Sequence, residues 1–179
     1  MENEIIKLPQ KRKRFNIVRE VSNLEELNTE LPTDEVQKYV SCGGFSSIAF
    51  IVFVAQRTTI KEMVVSSLRI GKKHLQILNR LHDSGELKKA TFIVGSIMKN
   101  DSDLGKSYRY YDALTQSCRE NGWTAIVRNN HSKIILLDTD KGKYVIETSS
   151  NLNENPNMEQ FSFEKDEKLF NFYKEFLLE

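Results

Sequence analysis

The chain has 179 residues, 39% of them hydrophobic, with 26 Lys or Arg against 25 Asp or Glu and a formal net charge of +1. That length and composition suffice for one core, so a single domain over residues 31–179 is expected behind an N-terminal arm over 1–30 that carries a basic cluster. No run approaches the roughly 18 apolar residues of a membrane span, the opening MENEIIKLPQKRKR lacks the apolar core of a secretory leader, and Cys42 and Cys118 have no metal-ligand or disulfide-framework spacing; a soluble, cytoplasmic protein with structural thiols and no membrane partner is the expectation.

The cluster Lys11 to Arg14 reads first as a solvated, flexible arm and second as a nucleic-acid contact. Gln37 to Cys42 is predicted as a short strand stopped by Gly43-Gly44, a pair that suits a tight strand-to-helix turn better than a phosphate cradle. Phe45 to Gln56 follows as a buried helix. Lys61 to Leu68 reads as a strand, and Lys72 to His82 as a helix with Leu75, Leu78 and Leu81 at helical spacing. On that helix His74 and His82 read as satisfied or exposed helix histidines. Ala90 to Ser96 is a β-rich run. Ser107 to Asn121 is helical, with Tyr110 and Tyr111 read as core ahead of the alternative that the Tyr108 to Tyr111 run stacks bases. Strands at Thr124 to Arg128, His131 to Asp138, Lys143 to Glu147 and Glu159 to Phe163 lead to a last helix, Asp166 to Leu178. The order predicts an α/β sandwich with a mixed sheet flanked by helices. Charge is uneven along it: Arg57 to Lys133 holds 14 Lys or Arg against 7 acids, whereas Glu154 to Glu179 holds 7 acids against 3 lysines. A basic middle suits phosphate binding, and solvated helix faces explain it equally well.

Residues two apart on a strand share a face, so His131 and Lys133 point one way while Ile134 and Leu136 fill the other. With the turn centred on Lys141, antiparallel partners sum to 282, which sets Asn151 opposite His131 and Ser149 opposite Lys133. An imidazole, an ammonium, a hydroxyl and an amide then converge at one sheet end, a set that can hold and attack a phosphate. On spacing alone, a solvated strand end that merely caps the hairpin explains the pattern as well. A slip of one residue in register would invert the partner side chains.

His131-Ser132-Lys133, four residues, then Asp138 resembles the H-x-K-x4-D signature of the phospholipase D superfamily, and Thr148-Ser149-Ser150-Asn151 resembles its G-S-x-N segment. Glu159 sits where the small bacterial nucleases of that superfamily have a supporting glutamate. Thr148 departs from the usual glycine, and the hairpin turn is somewhat longer than in the family pattern. The resemblance implies a phospholipase D-like sandwich and a metal-independent phosphodiesterase needing no cofactor. It makes His131 the nucleophile that forms a phosphohistidine, with Lys133 and Asn151 on the phosphoryl oxygens, Ser149 adding a hydrogen bond and Glu159 orienting an imidazole. Asp138, on the opposite strand face, reads as structural. The expected activity is a nuclease, DNA ahead of RNA as substrate. Two alternatives stay open: a non-catalytic nucleic-acid-binding protein that keeps the phosphate pocket, and a lipid phosphodiesterase. With one H-x-K motif per chain, a homodimer with a shared active site is also expected.

Overall fold

Runs of β-branched and aromatic residues, separated by leucine-spaced segments, build one eight-stranded sheet with helices on both faces. The computed structural model describes residues 11–18, 30–105, 110–153 and 156–179. In chain order the elements are β1 (Arg12–Val18), β2 (Glu35–Ser41), α1 (Ile48–Ala55), β3 (Ile60–Ser67), α2 (Lys72–Asp83), β4 (Ala90–Gly95), α3 (Ser96–Asp103), α4 (Tyr110–Asn121), β5 (Thr124–Arg128), β6 (Ile134–Thr139), β7 (Gly142–Thr148), β8 (Glu159–Lys165) and α5 (Glu167–Leu178). Across the sheet the order is β1-β2-β8-β7-β6-β3-β4-β5. Both ends are parallel pairs, β1 with β2 and β3 with β4 and β5, while β2-β8-β7-β6-β3 is antiparallel throughout.

Helix α1, IAFIVFVA, is apolar all round and buried, as such a helix must be. Its Phe50 ring meets Tyr39, Phe45 and Phe161 with centroids 5.2 to 5.7 Å apart, and Phe161 lies two residues beyond Glu159 on β8. The aromatic cluster therefore fixes the strand end that carries the glutamate. Helix α2 buries Leu75, Leu78 and Leu81 against this same face. On the opposite face α5 packs Phe170 and Leu177 on Val64, Ile93, Leu136 and Val145, which covers β4, β3, β6 and β7. Among the described residues no helix covers that face of β8, β2 and β1.

The mixed α/β architecture matches the sequence reading, with two differences. Arg12–Val18 is an edge strand inside the stretch read as an arm; its pairing with β2 is a long-range contact that a basic, unpatterned segment does not advertise. Ser96–Asp103 is a short helix that follows β4 directly. The helix predicted over Ser107 to Asn121 is present over Tyr110–Asn121, and Ser107, Tyr108 and Arg109 lie outside the described residues. At Gly43 the backbone has φ 105°, and a Cβ there would stand 2.5 Å from the Pro156 carbonyl oxygen, so this glycine serves a tight chain approach.

The hairpin register is a correction. Thr139 pairs with Gly142 and Ile134 with Glu147, so partners sum to 281 instead of 282. The loop is the two residues Asp140-Lys141, closed by Thr139 Oγ1, which accepts from Lys141 N (3.1 Å) and donates to Gly142 O (2.7 Å). A two-residue loop centres the turn between Asp140 and Lys141, whereas the sequence reading centres it on Lys141. Lys133 therefore faces Thr148, whose N–H donates to the Lys133 carbonyl at 3.1 Å.

Candidate active site

Between β5 and β6 the chain is irregular, and Asn130 fastens it. Its Nδ2 donates among Ser66 Oγ (3.0 Å), Ile93 O (3.1 Å) and Ser67 O (3.3 Å), while its Oδ1 accepts from Ser132 N (2.9 Å) and Ser132 Oγ (2.8 Å). Ser132 Oγ also meets Ser66 Oγ at 2.5 Å. The even-numbered residues are thus tied to the ends of β3 and β4. Alternation then presents His131 and Lys133 together on the other side.

Lys133 Nζ donates to the His131 carbonyl (2.6 Å) and lies 3.1 Å from His131 Nδ1. An ammonium has only donors, so in this contact Nδ1 is the acceptor. His131 is exposed and Lys133 half-buried. Burial lowers the Lys133 pKa, and the negative charge of Glu159 works against that shift. Glu159 is only 9% exposed; it accepts from the Ser149 hydroxyl, and Ser149 Oγ accepts from Gln160 N at 3.0 Å.

The segment after β7 crosses the top of β6 to reach β3. Thr148 Oγ1 accepts from Ser150 N (2.8 Å), which shapes the departure. Ser149 N still donates to Gln160 O on β8 (3.1 Å). Two residues later the chain is on β3: Asn151 Oδ1 accepts from Leu68 N (3.2 Å), Leu152 N donates to Ser67 Oγ (3.0 Å), and Gly71 N donates to Leu152 O (2.8 Å). Ser67 Oγ spends its own hydrogen on Arg69 O at 2.7 Å. With Oδ1 turned toward Leu68, the Asn151 amide presents Nδ2 as a donor. Lys133 is thereby flanked by the Ser149–Glu159 pair from the β8 side and by Asn151 from the β3 side. The pair arrives by a strand crossing, and the hairpin pairing expected from the sequence plays no part in it.

Asp138 lies at the far end of β6, 3.3 Å from Lys61 in an ion pair. His82 rests edge-on against Trp123, and its Nδ1 is 2.9 Å from Leu87 O. His74 is buried on α2 with Nε2 2.7 Å from Ser46 Oγ. Among the described residues no three His, Cys, Asp or Glu side chains group as metal ligands. Asn130, Ser132, Ser66 and Ser67 support the site yet were not singled out in the sequence. The available signal was the Asn129-Asn130 pair in a connection, and two serines closing an otherwise buried strand.

The sequence matches no protein-family model, and no curated protein resembles it at a significant level. Solved structures do. The chain is similar to a polyphosphate kinase from Porphyromonas gingivalis (TM-score 0.52, 13% identity, 72% of this chain and 23% of that one) and to a phosphatidylserine synthase from Haemophilus influenzae Rd KW20 (TM-score 0.51, 19% identity, 78% of this chain and 37% of that one). The fold is phospholipase D-like. At these identities the likeness extends to architecture alone, and the chain spans well under half the length of either neighbour. Within the phospholipase D-like sheet, His131, Lys133, Ser149, Asn151 and Glu159 all lie at one end of the antiparallel middle.

Proposed function

We propose that this chain is a metal-independent phosphodiesterase, a nuclease that cleaves nucleic acid through a phosphohistidine on His131. The observation that carries the reading is the Lys133 ammonium resting on the His131 ring, with Asn151 and the Ser149–Glu159 pair anchored on either side. A phosphoryl oxygen is a better acceptor for an ammonium than an imidazole nitrogen. Substrate draws Lys133 away and frees a ring lone pair for attack on phosphorus. An N–P bond forms as the P–O bond to the leaving group breaks, and the leaving oxygen takes a proton from an acid; water then breaks the N–P bond and restores the imidazole. Lys133 and Asn151 Nδ2 neutralise the charge that develops on the phosphoryl oxygens. Ser149 can donate there only by releasing Glu159, since its one hydrogen is already engaged.

Two other readings have their own observations. Similarity to a phosphatidylserine synthase favours a lipid phosphodiester, and Thr148, its hydroxyl engaged by Ser150 N, favours a pocket that binds without turnover. Hydrolysis of labelled DNA, of a short-chain phospholipid and of bis-p-nitrophenyl phosphate in excess EDTA separates the three. DNA cleavage should persist in chelator, with phosphate trapped on the wild type in an acid-labile bond that His131→Ala does not form. Lys133→Ala and Asn151→Ala should each lower kcat by about 100-fold or more while thermal unfolding hardly moves. Activity lost in EDTA and restored by magnesium or zinc, or an Asn151→Ala variant at wild-type rates, would reject the phosphohistidine site.

A further inference from the structure

The part of the sheet face that α5 leaves uncovered carries a groove of about 640 Å³ that runs from the edge strand to Lys133 at the end of the sheet. We infer that this groove, walled by Lys13 and Phe15 of β1, Lys38 and Val40 of β2, and Gln160 and Ser162 of β8, is a track for single-stranded nucleic acid leading to Lys133. The inference rests on the nuclease reading and adds where the strand lies.

Strand alternation puts these side chains on one face, and the pairings Phe15 with Lys38, Lys38 with Ser162, and Val40 with Gln160 place them in adjoining rows. Neighbouring rows along a strand are ~6.6 Å apart, close to the separation of phosphates in an extended single strand. Each of the two outer strands thus offers one amine and one apolar side chain per repeat. Lys38 Nζ donates to Ser162 Oγ at 2.9 Å and meets no carboxylate among the described residues, and Lys13 makes no ion pair among them either. Glu147, the one carboxylate lining the groove among the described residues, is held by the Tyr173 hydroxyl on α5. Phe15 is 76% exposed and Val40 44% exposed. An aromatic ring standing in water beside ammonium groups that meet no carboxylate among the described residues is the composition of a stacking platform with phosphate contacts. A lipid chain would need a continuous apolar slot, which the interleaved lysines interrupt. The far end of the groove includes Lys133 and Thr148, so a strand seated on β1 and β2 reaches the sheet end at Lys133 and turns over it toward His131.

Fluorescence anisotropy of a labelled oligothymidylate tests this in a His131→Ala background, where binding is read without cleavage. Combining Lys13→Ala with Lys38→Ala should weaken binding about tenfold and flatten the dependence of log affinity on log salt by about 1.4, at roughly 0.7 per single-strand phosphate contact. Phe15→Ala should weaken it about fivefold or more, with Phe15→Trp restoring it. Unchanged affinity and salt slope in the double variant would overturn the track, as would wild-type-like binding by Phe15→Ala, or groove substitutions that abolish capture by anionic phosphatidylglycerol vesicles but leave the oligonucleotide bound. Turnover of bis-p-nitrophenyl phosphate by the wild type judges the His131 chemistry separately. A chain that turns over this small diester yet binds DNA independently of Lys13, Phe15 and Lys38 loses the track and keeps the site. One that binds through those residues without turnover keeps the track and loses the nuclease reading.

Discussion

Asn130 has more to do with the placement of His131 than any residue in the motif itself. Its amide joins β3, β4 and the loop through five hydrogen bonds, so Asn130→Ala strands several polar groups at the strand ends, each worth about 1 kcal/mol net. The expected outcome is a fall in kcat well beyond the fall in stability, because the loop loses its fixed exit direction while the core stays intact. Kinetics and thermal melting on the same preparation check this, and equal losses in both would make Asn130 merely structural. Lys133 yields a pH prediction with a definite sign. Burial lowers its pKa and Glu159 partly restores it, so turnover that needs the ammonium should decline on the alkaline side before an exposed lysine would titrate. Removing the carboxylate charge removes the restoring influence. Glu159→Gln, which keeps an acceptor for Ser149, should therefore move the alkaline limb to lower pH, and a limb that stays in place would show that the Lys133 charge does not control the rate.

Among the elements, α5 shows how a local signal and a tertiary one combine. Asp166 caps it by accepting from Leu169 N at 3.0 Å and also pairs with Lys11 at 2.5 Å. Burial alone would raise the Asp166 pKa, but the Leu169 N–H and Lys11 outweigh it and the net shift is downward. For Lys11 burial works downward, and its bonds to Asp166 and Glu164 carry the net shift upward. The stability from Asp166 is therefore present above its unfolded pKa and lost as pH falls through the lower folded value, while that from Lys11 is lost only as pH rises through its raised value. Asp166→Ala should cost about 1 kcal/mol for the cap, and Asp166→Asn should keep most of the cap while losing the acid-side dependence. Urea melts at neutral and acid pH distinguish the two, and identical pH profiles would remove the ion pair from the account. Such elements were legible because their signals are local: the leucine spacing of α2 and the β-branched runs of β3 to β5 need no partner to be read. Strand β1 was not legible, since Lys and Arg at an edge reveal nothing until β2 is beside them. Nor was the way Asn151 reaches the site. The motif names His131, Lys133, Ser149, Asn151 and Glu159, but the route that brings Asn151 there is the crossing from the end of β7 to β3, held by Ser67 and Leu68 far away in sequence, and not the hairpin pairing.

For the whole molecule the unresolved requirement of the proposed reaction is an acid for the leaving oxygen. His131 is the nucleophile in that scheme, and the chain offers two other imidazoles. His74 is buried against Ser46 and His82 sits edge-on to Trp123; neither is followed by a lysine two residues on. His131 itself is exposed, so a second copy of it can approach across a two-fold axis, and a self-complementary interface builds a paired site from one motif per chain. In that site one imidazole attacks while the other donates a proton, which requires opposite protonation states and a bell-shaped pH profile for kcat. Light scattering should then give twice the chain mass. Mixing His131→Ala with an equal amount of wild type and allowing subunits to exchange places half of the wild-type chains in one-histidine dimers, so activity should fall to about half. Activity that stays proportional to wild-type chains after exchange, or a monomer with full activity at nanomolar concentration, would place the acid within the chain, with Glu159 the first residue to test by substitution.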